Sequence, residues 1–472
     1  MEFNRKSSIM IDKKYFGEKW VQKIKQDLFV IKRNYQDNDF SYIPYYQQTE
    51  DFLLIPRYYP IENFIKGKIN IIDENPHAKK IKIKSKIKPR SDAQKKLMEE
   101  IVKYDNVILQ SPPGSGKTII IIQGICTIKE KTIILTHRDF IVRQWKERLL
   151  SFTDIKEENI GILKRKTYKD DLKKPIIIST VQQVGSLLKI KDFRKRIQNS
   201  GLGLSVYDEL HTTVGAPTFS ICSLNIFSKR YWGASATPFN ATATERIIKY
   251  HFKNIIKNED AEGTTPPNVY IFLMDFGITK GVSKRYLYWN NKFQRSRYIK
   301  QIRKSDKLLN FIKKITEKMY KNGRKIILFG EQHAIIDKLF SMIPFEDKSK
   351  FIINSDSSAL DSRIIFSTTM KCRDALDCPS LDSAIIFVPI RNIEQLCGRI
   401  SRNAPGKKEP LLIDIVDIGC SNISRSIHRR IDFYEKRCGD INIFNVLENG
   451  KIEKIKKSDI YNILKNTGKE KK

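Results

Sequence analysis

Apolar residues fall along the chain in two series of short runs, and their spacing predicts the architecture. The first series occupies residues 106–110, 131–136, 175–180, 204–209 and 231–236, each a strand-like run, with helical stretches such as residues 140–150 between them. Strands alternating with helices predict right-handed βαβ units and a parallel sheet. A second series follows at residues 325–329, 351–354, 363–367, 384–388 and 411–416. Upstream, residues 1–85 alternate apolar with basic positions and carry the tyrosine- and proline-rich stretches SYIPYYQQ and LLIPRYYPI, the pattern of a small mixed or β-rich accessory domain. The stretch EDAEGTTPPNVY reads as a loop. The α/β organisation expected is therefore an accessory domain at 1–85, a first lobe at 86–254, a connecting segment at 255–294, a second lobe at 295–440 and a polar, basic tail at 441–472, read as a short helix with a frayed end.

Candidate chemistry sits where these runs end. Residues 111–118 read SPPGSGKT (Ser111, Pro112, Pro113, Gly114, Ser115, Gly116, Lys117, Thr118), after one apolar run and before another. A strand, a glycine-bearing loop and a helix form the setting in which backbone N–H groups cradle a polyphosphate. Lys117 would reach the terminal phosphates and Thr118 would place its hydroxyl on Mg²⁺. The strict phosphate-loop pattern begins with glycine, and here that position is Ser111. The run at 204–209 ends in Asp208 and Glu209, a pair suited to holding the Mg²⁺ water shell and polarising an attacking water. Arg399 and Arg402 lie three apart in QLCGRISR, a spacing that predicts one shared helical face aimed at a triphosphate. Taken singly, the acid pair suits a solvated turn and the arginines a basic surface. Three such motifs in this order favour nucleotide chemistry.

On these residues the chain resembles the superfamily 2 helicases of DExH type, from about residue 88 to about residue 434. The phosphate loop matches Ser111 to Thr118, the DExH box Asp208, Glu209, Leu210 and His211, the coupling motif Ser235, Ala236 and Thr237, and the arginine motif Gln395, Gly398, Arg399 and Arg402. THRDFIVRQW at 136–145 and ISTVQQ at 178–183 are similar to segments that contact the nucleic-acid backbone, and LFGEQ at 328–332 to the first motif of the second lobe. Gln94 matches the adenine-reading glutamine. Near the fifth motif Leu376, Asp377 and Pro379 match while the glycine is absent, leaving Asp377 as a ribose or arginine partner. The resemblance implies two RecA-like parallel-sheet lobes, ATP with Mg²⁺ as cofactor, catalysis by Glu209, Gln395, Arg399 and Arg402, and coupling through His211, Ser235, Thr237 and Asp377. Within the superfamily the chain is most similar to compact DNA helicases of the poxvirus transcript-release type. That implies DNA in preference to RNA, a polymerase or transcription factors as partners, and a protein of the host cytoplasm and the virion.

Composition narrows the partners. Eighty-seven basic against fifty-three acidic residues leave a net charge of +34, a field that favours nucleic acid. An AT-rich genome also inflates Lys, Ile and Asn, but not Lys without matching Glu. Basic residues cluster at 78–90, 291–307 and 451–459, and in the first cluster Lys and Ile alternate, as in an amphipathic strand or a tether. The tyrosines of residues 1–85 suit either base stacking or packing. Seven cysteines (Cys126, Cys222, Cys372, Cys378, Cys397, Cys420, Cys438) without C-x-x-C pairing argue for a reducing compartment and against a disulfide framework or zinc site. No apolar run reaches the length of a membrane span, and the first residues lack the apolar core of a secretory signal. An RNA helicase of the same superfamily and a nucleotide-gated clamp that does not unwind are the competing expectations.

Overall fold

Successive apolar positions, as at Ile176, Ile177 and Ile178, bury both faces of a strand, and a parallel sheet covered on both sides accommodates them. The computed structural model describes residues 2–5, 7–34, 39–64, 70–74, 76–112, 115–213, 217–236, 238–239, 242–258, 265–282, 284–290, 292–352, 355–369, 371, 376, 378–388, 390 and 393–469. The chain divides into two units, Met1–Glu262 and Gly263–Lys472.

The first unit opens with β1 (Glu2–Arg5), β2 (Ser8–Asp12), β3 (Phe29–Asn34), β4 (Asp39–Pro44), β5 (Gln47–Gln48), β6 (Phe52–Pro56) and β7 (Asn70–Asp73). Strands β3 and β4 pair as a hairpin, and the others form a sheet in the order β5-β6-β2-β1-β7. There follow β8 (Asn106–Gln110), β9 (Thr132–Thr136), β10 (Ile160–Ile162), β11 (Ile176–Thr180), β12 (Leu202–Tyr207), β13 (Ser228–Ser235) and β14 (Asn254–Lys257). They make an all-parallel sheet in the order β10-β11-β9-β12-β13-β8-β14. Alternation along β9 splits its side chains between two cores. Ile134 faces Trp145 and Trp232, while Ile133 and Leu135 join a core shared with Ile9, Tyr45 and Tyr59. Residues 1–85 thus pack into the first unit, and buried Tyr45 and Tyr59 serve that packing. Residues 78–90 form neither a ladder strand nor a loose tether. Isolated pairings of Lys80 with Glu130 and Ser85 with Thr153 hold an extended strap, with Ile83 buried and Lys82, Lys84 and Lys86 exposed.

The second unit contains β15 (Asn268–Met274), the hairpin β16 (Tyr288–Trp289) and β17 (Lys292–Phe293), then β18 (Ile326–Gly330), β19 (Lys348–Phe351), β20 (Ile364–Thr368), β21 (Ser383–Ile386), β22 (Leu411–Asp417), β23 (Ile441–Val446) and β24 (Ile452–Ile455). The sheet order is β19-β20-β18-β21-β22-β15-β23-β24, parallel except for β24. Two expectations are corrected here. Residues 255–294 are more than a connector, because β15 pairs with β22 along its whole length. Residues 441–472 are not a bare tail either, since β23 and β24 extend the sheet and Ile460 of the following helix is buried. In both places an apolar run sits beside polar, loop-like sequence that masks it. No helix among the described residues is long and apolar enough to cross a membrane, and none of the six described cysteines is in a disulfide.

Candidate functional site

Strands β9, β12, β13 and β8 are neighbours, so their carboxyl ends gather the loops that follow them, the place where open α/β sheets bind ligands. At the end of β8, Ser111 N–H donates to the Ser235 carbonyl at the end of β13 (3.1 Å). Ser111 is fully buried, its hydroxyl bonds that of Ser115, and it accepts from Asn258 Nδ2 at 3.1 Å. These bonds show why a serine stands at the loop's first position. Ser115 Oγ donates to the Pro112 carbonyl (2.6 Å), and Lys117 Nζ donates to the carbonyls of Ser111 (2.8 Å) and Pro112 (3.0 Å). The lysine therefore hangs over the loop at the amino end of the helix Lys117–Ile128, where the helix dipole favours an anion. Gly116 starts that helix at φ 87°, and a Cβ there would lie 2.5 Å from Gln94 Nε2, so glycine is required twice over. Gln94 is buried and accepts from Arg90 N–H (2.9 Å). Pro113 and Gly114 lie outside the described residues.

The acid pair follows β12. Asp208 N–H donates to Leu135 O of β9 (2.9 Å), and the carboxylate accepts from Trp145 Nε1 (2.8 Å) and from Glu209 N–H (2.9 Å). Burial, reinforced by the charge of Glu209, pushes the Asp208 carboxyl up to about 6, against the Trp145 bond and the Lys117 charge. Glu209 adopts φ 48°, a left-handed conformation that costs a non-glycine residue about 1 kcal/mol or more and turns the chain from strand to helix. Arg148 Nη1 donates to Thr118 Oγ1 (2.8 Å). Trp145 and Arg148 are three apart on the helix Asp139–Phe152, so one face of that helix serves both Asp208 and Thr118. Neither role was drawn from the sequence; the i, i+3 spacing and an indole needing a partner were the available signals. Oxygen donors suit Mg²⁺, and the Asp208 carboxylate and the Thr118 hydroxyl are both oxygen donors contacted from one helix, by Trp145 and Arg148. Thr118 and Asp208 therefore fit the implied ion.

Other expected residues are less gathered. Ser235 is buried at the end of β13; Thr237, Asp377 and the side chains of His211 and Gln395 lie outside the described residues. Arg399 and Arg402 do not share a helical face, which corrects the expectation from spacing. The helix Ile393–Ile400 ends before Arg402, its last turn closed by Ser401 N–H to Cys397 O (2.9 Å). Lys407 donates to the carbonyls of Ile400 and Arg402 beyond it, and burial lowers its amine to about 8.

The family "Type III restriction enzyme, res subunit" matches residues 86–240, the segment that holds the phosphate loop and the acid pair. A protein of Acanthamoeba polyphaga mimivirus, named as an ATP-dependent RNA helicase, is 26% identical over 71% of this chain and 64% of its own. The match thus spans under two thirds of that relative's length. A helicase-named protein of Invertebrate iridescent virus 6 is 22% identical over 73% of this chain and 80% of its own. The DNA 3'-5' helicase XPB of Mycobacterium tuberculosis is 32% identical over 27% of this chain and 22% of its own. In fold, the chain is similar to a Dbp5 variant of S. cerevisiae solved with RNA and ADP BeF3 (TM-score 0.51, 15% identity, 80% of this chain and 93% of that one). The fold is that of RecA-like lobes, and the two viral relatives are named as helicases.

Proposed function

We propose that the chain is a DExH-type ATP-dependent helicase or translocase acting on DNA. The observation that carries this reading is the placing of Lys117 and Thr118 after β8, and of Asp208 and Glu209 after β12, at the carboxyl ends of two strands that flank β13 in the parallel sheet. In this reading the loop from Ser111 through Pro112, Pro113, Gly114, Ser115 and Gly116 receives the phosphates, with Lys117 offsetting their charge. Gln94, whose amide abuts Gly116, supports the loop and the base. Mg²⁺ held by Thr118 and Asp208 supplies charge to the phosphate oxygens. Trp145 and Arg148 position those two ligands, and Glu209 orients the attacking water. His211, Ser235 and Thr237 relay nucleotide state to the nucleic-acid grip, and the resemblance gives Gln395, Arg399 and Arg402 a part in turnover and Asp377 one in coupling.

The charge of +34 supports a polyanion as substrate; the XPB relative is named as a DNA helicase and the mimivirus relative as an RNA helicase, so the choice of DNA rests on the resemblance and goes to the test below. Viral relatives support a viral protein of the host cytoplasm, and to it this reading assigns transcript release beside a polymerase and packaging in the virion. The test is ATP turnover titrated with single-stranded DNA, duplex DNA and RNA of equal length, alongside strand displacement. Stimulation by DNA with displacement is expected. Stimulation by RNA alone would move the substrate to RNA, and nucleotide-dependent binding without displacement would make the chain a clamp.

A further inference from the structure

Between Asp275 and Asp306 the chain has no carboxylate, and nine of those thirty positions are lysine or arginine. At the centre of this stretch lies the hairpin β16–β17, in which Tyr288 pairs with Phe293 and Trp289 with Lys292. Side chains alternate across a strand, so the two pairs face opposite ways. Tyr288 and Phe293 pack on the core with ring centroids 5.7 Å apart, and Asn422 Nδ2 donates to Tyr288 Oη at 2.5 Å. The core side is thereby fixed, and Asn290 at φ 45° supplies the left-handed step that a tight hairpin turn needs. Trp289 is left pointing outward and is 62% exposed, whereas Trp145 and Trp232 are buried. The Arg297 guanidinium lies 5.7 Å from the Trp289 ring and 5.6 Å from the Tyr286 ring, and its Nη1 donates to Tyr286 O at 3.1 Å. An indole held in place by a cation yet left in water has no packing purpose.

We infer that Trp289 is a stacking platform for an unpaired base of a single-stranded nucleic acid, with Lys292 and Arg297 offsetting the flanking phosphates. This inference rests on the nucleic-acid reading above and adds a contact outside the nucleotide site. Every base has a flat face, so the contact is indifferent to sequence, and the cations beside it act on the backbone whichever base is stacked. The surrounding segment contributes no carboxylate of its own, and Glu331, which approaches it, is paired with Arg295. Duplex DNA, whose bases are already stacked, is the poorer ligand.

The full chain carrying Trp20→Phe, which removes the other exposed indole, is titrated with oligo(dT) without nucleotide while tryptophan emission is followed. Binding should quench emission, the added Trp289→Phe should abolish the quench, and Trp289→Ala in the native chain should weaken binding on the order of tenfold. Quench-free binding, native affinity in Trp289→Ala, or equal binding and quenching by duplex would each overturn the platform. No binding to any nucleic acid would overturn both the platform and the nucleic-acid reading. Quenching in a protein that never hydrolyses ATP would uphold the platform and remove the motor.

Discussion

Trp145→Phe keeps a flat apolar ring in a fully buried slot and removes one donor, the indole Nε1–H that bonds Asp208 at 2.8 Å. A hydrogen bond to a charged group contributes about 1.5–3 kcal/mol, and this one favours the ionised carboxylate. At about 1.36 kcal/mol per unit, its loss should raise the Asp208 carboxyl, already at about 6, by roughly 1–2 units. The native group is then mostly ionised at pH 7, whereas half or more of the variant is protonated. That proton competes with Mg²⁺, so the apparent Kd for a fluorescent Mg·ATP analogue should rise roughly 2- to 10-fold at pH 7 and return to the native value by about pH 9. The assay is nucleotide titration from pH 6.5 to 9, on the order of a few points per pH unit, with Mg²⁺ and again with EDTA. A loss that is equal at every pH, or equal in EDTA, would mean that Trp145 only packs; no loss would refute the reasoning.

Gly116→Ala should lose about 1–2 kcal/mol to the left-handed backbone and more to displacing the Gln94 amide, and Gln94→Ala in the same chain should recover the second part. Denaturant unfolding of the four-member cycle checks this, and strict additivity would contradict it. Arg430→Ala strands the buried Asp414 carboxylate, which Arg430 Nη1 meets at 2.7 Å and Tyr434 Oη at 2.8 Å, so the second unit should lose roughly 3–5 kcal/mol in the same assay. A loss under about 1 kcal/mol would mean the pair is solvated. Burial holds the His251 imidazole down to about 3 from its ordinary 6.5, so its contribution to stability is present above 6.5 and is lost as pH falls through 3. His251→Gln should flatten that acid limb, and unchanged limbs would place the titration elsewhere.

The phosphate loop and the acid pair were legible because their chemistry is local, a few residues in a row after a run of apolar positions. Strands such as β11 were legible because both faces are buried and the residues are consecutively apolar. Strand β23 was not, since only Ile443 and Val446 are buried among half-buried positions, in lysine-rich surroundings. The arginine spacing predicted a shared face, yet the helix stops at Ile400, where Pro405 and Gly406 soon follow; the breakers were visible and outweighed by the motif. The bonds from Trp145 to Asp208 and from Arg148 to Thr118 join residues 63 and 30 positions apart. Such partners are set by which strands become neighbours, which local pattern does not encode.

ATP turnover by the native chain and by Lys117→Ala, each with saturating single-stranded DNA, tests the central claim most directly. Lys117 contacts loop carbonyls at the amino end of a helix, so its removal should leave the fold intact. Expected are DNA-stimulated hydrolysis by the native protein and a fall of orders of magnitude in the folded variant. A folded Lys117→Ala protein that hydrolyses ATP at the native rate, or a native protein that hydrolyses none with any nucleic acid, would contradict it.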